Sequence, residues 1–450
     1  MTLSVSDLAG RFSGQLLQPA DAGFDDARRV HNGFVDKHPA LIARCRNTAD
    51  IADAVQLARD SALEVAVKGG GHNVAGRSAV EGGLLIDLSL MRGIHVDAKA
   101  RTARAQGGAT WGDYNRETQL HGLASTGGTV STTGVSGLTL GGGLGWLMPK
   151  YGIAVDNLRS AQIVTADGRV LEASRSDNAD LFWAIRGGGG NFGIAASLEF
   201  DVHPVGPMIA GGLVAHPFAN GRDVWRMCRD LAESGIPDEL MLFPAMLHAP
   251  DGTKLAGIGA AHCGPLADGE AALRRLKTYG TPAMDALGPI PYSAQNQLLD
   301  AAFPKGALNY WKTTFLTSLS DGAIDTLIDC YARVPSPMSL IGVEHFHGAA
   351  TRVAVGDTAF PHRTYGYNLL VIAEWMNPAD SERNIAWARE TIAAMKPFSA
   401  ASGYQNYMAG DEEGDAAATA YGSNYARLRQ IKAKYDPTNF FHMNQNVRPA

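Results

Sequence analysis

Apolar positions along the first 200 residues repeat with two different periods. From Asp50 to Arg59, Ile51, Val55 and Ala58 fall one and two turns apart, which predicts a short amphipathic helix capped by Asp50. Glu64–Lys68 (EVAVK) then alternates as a strand and runs into Gly69-Gly70-Gly71-His72, and Leu84–Leu88 (LLIDL) follows Gly82-Gly83 as an apolar strand. Gln162–Ala173 reads as a hairpin turned at Asp167-Gly168, where glycine accepts the positive φ of a tight turn. Asn178–Arg186 reads as a helix and Ile194–Val202 (IAASLEFDV) as a strand, before Pro204 and Pro207 break the pattern and mark a domain boundary.

From about residue 208 to 400, amphipathic helices such as Ala323–Tyr331 mix with alternating strands such as Ser339–His347 (SLIGVEHFH) and Tyr367–Trp375, as in a second α+β domain. A last helix is predicted over Tyr421–Tyr435, stopped by Asp436-Pro437, with Phe440-Phe441 and Asn444-Gln445-Asn446 beyond it. No internal repeat or low-complexity segment interrupts this order.

With 45% apolar residues among 450, the chain has ample material for a large core. Its 39 basic and 45 acidic residues give a net charge of −6 without any run of Lys or Arg, which excludes nucleic acid and acidic membrane surfaces as partners. Met1–Gly10 lacks a basic and apolar leader pattern, and no stretch of about 18 apolar residues occurs, so a cytoplasmic protein is expected. Cys45, Cys228, Cys263 and Cys330 lie far apart, as buried thiols do and zinc knuckles do not.

Glycine changes the picture: 52 residues, well above the usual share of roughly 7%. Many cluster in Gly69–Gly71, in the run from Gly127 to Gly145, and in Gly187–Gly193. Successive N–H groups in such turns converge on an anion, because no side chain blocks the approach of a phosphate. The same glycines would also serve as tight corners in a strand-rich domain. Gly188, Gly190 and Gly193 fit the G-x-G-x-x-G fingerprint, but a helix precedes and a strand follows, the reverse of the Rossmann order.

VKGGGHN (Val67–Asn73), TGGTVSTTGVSGLTLGGGLGWLMPKYGIAVDNL, LFWAIRGGGGNFGI and YARLRQIKAKYDPTNFFHMNQN resemble, in order and spacing, the bacterial FAD-linked oxidases of the berberine bridge enzyme type. These belong to the vanillyl-alcohol oxidase superfamily, and within it the segments resemble the 6-hydroxy-D-nicotine oxidase branch. The resemblance covers residues 36–205 and 404–448. It implies an α+β fold: a PCMH-type two-subdomain FAD-binding domain over residues 36–207 after an N-terminal segment (1–35), an antiparallel-sheet α+β substrate domain over 208–403, and a C-terminal segment (404–450) returning to the flavin.

The resemblance further implies FAD bonded through its 8α-methyl carbon to His72 of the GGH turn. The bond is expected to be single, because Val130-Ser131-Thr132-Thr133-Gly134 carries valine where many relatives place a second, cysteine link. Implied cofactor contacts are Lys68, Gly69, Gly70, Gly71, His72, Asn73, Gly76, Thr132, Thr133, Gly134, Gly137, Gly141, Gly142, Gly143, Asn157, Gly190, Asn191, Gly193, Ile194, Asn444 and Asn446. Thr133 falls near where oxygen approaches the flavin in relatives, a departure that leaves oxidase and dehydrogenase behaviour both open.

For catalysis, Tyr404-Gln405-Asn406-Tyr407 resembles the family's Y-x-N-Y segment and makes Tyr407 the candidate base, provided positive charge or hydrogen bonding lowers its pKa from about 10. Leu370 stands where plant-type members carry Glu or Gln. On the strand beside it Val343, His345 and His347 share one face, and Glu344 and Phe346 the other. A histidine face turned to the pocket would let His345 or His347 orient substrate or take the proton. No third ligand accompanies these two histidines, so no metal is expected. Trp111, Trp146 and Tyr114 are either stacking surfaces for a sugar or core residues.

The implied activity is that of an FAD-dependent oxidase: hydride from a C–OH or C–N centre of a small alkaloid, secondary metabolite or sugar passes to flavin N5, with O2 as acceptor. The alternative is a flavin-bearing protein that sequesters a drug or natural product without turnover. The partners are then a small substrate and O2, with a homo-oligomer admissible.

Overall fold

Three sheets carry the architecture of the computed structural model, which describes residue 8 and residues 10–400, 402–412 and 414–450. Strands β1 (Gln15–Leu17), β2 (Leu41–Arg44), β3 (Val65–Lys68) and β4 (Leu84–Asp87) form the first, in the order β1-β2-β4-β3. β2 and β3 run parallel to β4, and β1 runs antiparallel to β2. Helix α1 (Thr48–Asp60) connects β2 to β3 and buries Ile51, Ala54, Val55, Leu57 and Ala58. Its cap is Asn47, not Asp50: Asn47 has the extended backbone a cap needs and its Oδ1 accepts the Asp50 N–H at 2.9 Å. Asp50 is already helical, and its carboxylate instead accepts the N–H groups of Ser13 and Arg46 at 2.9 and 2.8 Å.

The second sheet is antiparallel and joins β5 (Ile94–Asp97), β6 (Thr102–Gln106), β7 (Leu158–Val164), β8 (Val170–Ser174) and β9 (Ile194–Asp201) in the order β5-β6-β9-β7-β8. The hairpin read from the sequence is β7–β8, with Gly168 at φ +79° in its turn. Around it lie α2 (Trp111–Thr118), α3 (Val135–Leu140) and α4 (Ala179–Ile185). Trp111 and Tyr114 are fully buried in edge contact with one another, so they are core residues, and Trp146 is likewise buried, against Phe243.

The third sheet is also antiparallel. Its strands β10 (Met208–Pro217), β11 (Leu240–His248), β12 (Lys254–His262), β13 (Leu308–Leu316), β14 (Leu340–Phe346) and β15 (Gly366–Trp375) run in the order β10-β12-β11-β14-β15-β13, with short edge strands beside β10. One face packs on α5 (Gly221–Glu233), α6 (Leu266–Thr278), α7 (Asp321–Ala332) and α8 (Ser381–Met395), forming a core through Trp225, Leu273, Leu327, Val343, Leu369 and Val371. The opposite face presents Phe243, Trp311, Leu340, Leu370 and Ile372.

The C-terminal helix α9 spans Tyr425–Tyr435, four residues shorter at its start than the sequence pattern predicts, because Gly422 at φ +48° breaks the chain between Ala416–Tyr421 and α9. Two buried ion pairs fix the parts together. Arg363 donates from Nη1 and Nη2 to the two oxygens of Asp156, each at 2.8 Å, joining the loop before β15 to the residues before β7. Lys432 on α9 pairs with Asp436 at 2.6 Å and also donates to the carbonyls of Asn191 and Phe441. No helix among the described residues is long and apolar enough to cross a membrane, and no trio of His, Cys, Asp or Glu among them is placed to hold a metal ion.

Candidate active site

The free face of the third sheet meets the glycine turns of the first two sheets across a cavity of about 240 Å³. One end is made of main chain: Gly69–Gly71 after β3, Gly134 and Gly137 at α3, and Gly189, Gly190 and Gly193 before β9. A Cβ on Gly70 would sit 2.4 Å from the Gly134 N, and one on Gly134 would sit 2.4 Å from the Gly70 N, so the two turns touch backbone to backbone and leave their amides bare of side chains. Gly137 faces open space. Beside these amides, Ser78 Oγ is buried without a partner and Arg77 lines the wall, while Val67, Leu88, Leu138 and Phe441 supply apolar surface. Bare amides, a spare hydroxyl and a guanidinium next to apolar walls are a donor set that fits a dinucleotide, with its pyrophosphate on the amides. The residues present therefore fit FAD.

His72 stands at this wall. Its Nε2 is hydrogen-bonded to Thr132 Oγ1 at 2.8 Å, and Nδ1 has no partner among the described residues. Burial and the neighbouring His31 push its pKa down to about 3, so the imidazole is neutral. Val130 and Thr133 also line the cavity, and none of the four cysteines does.

The other end is apolar, walled by Phe243, Phe303, Trp311, Leu340, Leu370 and Ile372. Tyr407 and Glu344 enter it, and Asn309, whose Oδ1 accepts the Trp311 Nε1–H at 3.0 Å, lines it as well. Tyr407 donates its hydroxyl proton to Glu344 Oε1 at 3.2 Å, and Glu344 Oε2 accepts from Asn368 Nδ2 at 2.7 Å; Asn368 is in turn held by Thr313 at 3.0 Å. Glu344 is the only acidic residue of the cavity wall among the described residues. Desolvation raises its pKa to about 7, against the lowering effect of its two hydrogen bonds. Tyr407 is raised well above 10, by burial first and by the facing carboxylate second. The expected lowering of the tyrosine is thus reversed, since its charged neighbour is an acid and not a cation.

The sequence reading of β14 had the right period and the wrong side. All seven residues of β14 are buried, so exposure does not distinguish its faces. Register does: Glu344 lies opposite Asn368 and Gly342 opposite Leu370, which puts Glu344 on the cavity side, whereas His345 pairs with Tyr367. His345 stacks on His347 and Tyr367 at ring distances of 4.4 and 5.1 Å on the helix-covered side, and His347 bonds the Leu240 carbonyl at 3.0 Å. Neither lines the cavity. The signal for Glu344 was available, as an acid inside an otherwise uncharged strand.

Of the expected cofactor contacts, Gly69, Gly70, Gly71, His72, Asn73, Thr133, Gly134, Gly137, Gly190, Gly193, Ile194 and Asn444 line the cavity. The others support it from behind. Lys68 pairs with Asp87 at 3.3 Å, and Asn157 bonds the carbonyls of Tyr151 and Ile153 at 3.0 Å. Asn191 holds Gly188, Tyr421 and Gln445, and Thr132 holds His72. Gly76 and Gly141–Gly143 are packing positions: a Cβ on Gly76 would strike Val35 at 2.6 Å, and one on Gly141 would strike Asn406 Oδ1 at 2.0 Å. Asn446 is not part of the cavity wall, where Gln445 stands beside Asn444, and Asn446 Oδ1 is buried without a partner among the described residues. Arg77 Nη1 anchors this segment through the Met443 and Asn444 carbonyls, both at 2.9 Å.

Comparison with known proteins gives two family matches: a FAD binding domain over residues 39–174, and "berberine and berberine like" over residues 403–448. The chain is 30% identical to the (R)-6-hydroxynicotine oxidase of Paenarthrobacter nicotinovorans, over 97% of each chain, and 30% identical to an FAD-linked oxidoreductase of Dictyostelium discoideum, over 91% of this chain and 89% of that one. The crystal structure of 6-hydroxy-D-nicotine oxidase from Arthrobacter nicotinovorans superposes with a TM-score of 0.89 at 29% identity over 98% of each chain. That of glucooligosaccharide oxidase from Acremonium strictum, described with a 6-S-cysteinyl, 8α-N1-histidyl FAD, superposes with a TM-score of 0.87 at 26% identity, also over 98% of each.

Proposed function

The chain belongs to the berberine-like FAD-linked oxidoreductases, and we propose that it oxidises a C–OH or C–N centre of a small, ring-containing organic substrate, with dioxygen as acceptor. In this reading residues 36–207 hold FAD, 208–403 meet the substrate and 404–450 return to the flavin. The observation that carries it is the Tyr407–Glu344 pair, which contains the only acid of the cavity wall among the described residues, set among apolar side chains beside a dinucleotide cradle. FAD, when bound, supplies the hydride acceptor at N5 and passes the electrons to oxygen.

The protein's own part is to hold the substrate and take its proton. Tyr407 is too weak an acid to act as a free phenolate, so it hands its proton to Glu344 as it takes one from the substrate O–H, or Glu344 takes it directly. Asn368 and Thr313 keep the carboxylate aimed at the hydroxyl. The six apolar side chains suit a compact ring system.

We further propose one covalent bond, from His72 Nδ1 to the flavin 8α carbon. The neutral imidazole, the Thr132 contact on Nε2, the valine at 130 and the absence of cysteine from the wall all support it. Acid precipitation followed by peptide mass analysis tests this: the pellet should retain FAD on the His72 peptide, and His72→Ala should release it. Anaerobic addition of cyclic amines and secondary alcohols tests the reaction. Substrate-dependent bleaching of the flavin supports turnover, whereas binding without bleaching across the panel would point to sequestration.

A further inference from the structure

His31 lines the cavity and has no part in the chemistry above. Its imidazole lies against that of His72, with ring centres 4.0 Å apart and planes inclined by 22°. The main chain fixes this plate from two sides. His31 donates its N–H to the Gly71 carbonyl at 2.9 Å, in the turn that carries His72, and its own carbonyl accepts the Gly306 N–H at 2.9 Å, from beyond the domain boundary. The next residue, buried Asn32, donates to the carbonyls of Val74 and Asn309 at 2.8 and 2.9 Å. On the far side of His72, Thr132 holds Nε2, and its neighbour Ser131 is pinned by Asp300 at 2.8 and 2.5 Å. The His72 ring is thus held by its face and by one edge, which leaves Nδ1 as its unpartnered atom.

We propose that His31 is a positioning residue for flavin attachment: its ring sets the plane of the His72 imidazole so that Nδ1 is aligned with the methyl carbon it joins. This rests on the reading of His72 as the attachment point. In the joining reaction one methyl C–H bond breaks and the N–C bond forms. The methyl proton, the imidazole proton and two electrons leave with dioxygen as hydrogen peroxide. His31 contributes a flat surface to this reaction and takes no proton, so another flat ring should replace it.

The test uses the full chain, purified from flavin-limited cells and incubated with FAD in air, with acid-stable flavin followed over time. His31→Ala is expected to attach FAD about tenfold more slowly, the upper value for a stacked ring pair, while binding releasable FAD as before. His31→Phe should restore the wild-type rate. If the Ala variant binds no FAD, His31→Leu against His31→Phe decides, since both fill the space and only Phe is flat. Attachment by His31→Ala at the wild-type rate, or by His31→Phe as slowly as His31→Leu, overturns the proposal. A wild-type protein with no acid-stable flavin overturns the reading of His72 itself.

Discussion

Replacing Glu344 by glutamine should move stability and activity in opposite directions, and the raised pKa of the carboxyl sets the size of the effect. A shift from 4.5 to about 7 is worth about 3 kcal/mol, at about 1.4 kcal/mol per pH unit. Between those two pH values the folded protein keeps a proton that the unfolded chain has released, so native stability falls as pH rises through the window and levels off above about 7. Glutamine carries no such penalty. With an unfolding entropy of about 2 cal/mol/K per residue, the variant should melt at the same temperature as wild type near pH 4.5 and about 3 °C higher at pH 8. Its flavin reduction, followed by anaerobic stopped-flow absorbance, should be slower by about 10²-fold or more. Wild-type reduction should rise with pH through about 7, and the variant should lack that inflection. A melting difference that is the same at pH 5 and pH 8, together with an inflection that survives in the variant, would refute a proton-accepting Glu344.

Further substitutions test the architecture. His345→Leu should leave the rate of flavin reduction within about twofold, and stability within about 1 kcal/mol, because it removes two unpartnered ring nitrogens and two stacked pairs together; a large loss of rate would return the histidine to the catalytic site. Lys432→Met strands Asp436 in the interior and should cost about 3–5 kcal/mol, read as a lower melting temperature and faster loss of releasable FAD in a His72→Ala background. Adding Asp436→Asn should recover part of that loss. Arg363→Lys keeps the charge but loses the two-pronged contact with Asp156, and should expose the loop before β15 to limited proteolysis without changing the flavin spectrum.

The cofactor end of the site was legible because its signal is local. The turns at Gly69–Gly71 and Gly187–Gly193 announce themselves as runs of glycine, although what crowds them lies far along the chain, Gly134 against Gly70 and Phe360 against Gly187, and the strands around them follow from two-residue alternation. The substrate end was legible only in part. Alternation along β14 separates His345 from Glu344, but the side that meets the cavity depends on which face α5, α7 and α8 cover, and that is a matter of packing between distant segments. Tyr407 could be picked out by its motif. Its partner stands 63 positions away in sequence, and with that partner unknown the direction of the tyrosine's pKa came out reversed. The chain break at Gly422 escaped for a related reason, since the apolar pattern continues across it.

The C-terminal wall of the cavity has a consequence in time as well as in space. The glycine turns that receive the cofactor end at Gly193, and the segment that covers them begins at Tyr404, about 210 positions later. A ribosome adding roughly 5–20 residues each second needs tens of seconds to cover that gap. Throughout that interval the emerging chain carries a half-built chamber whose apolar walls lack their cover. Flavin has free passage into it until Arg77 captures the Met443 and Asn444 carbonyls and Lys432 seals the corner. How much of the protein is born loaded is then a race between vitamin supply and elongation speed, and slow codons between the two segments would favour the loaded form.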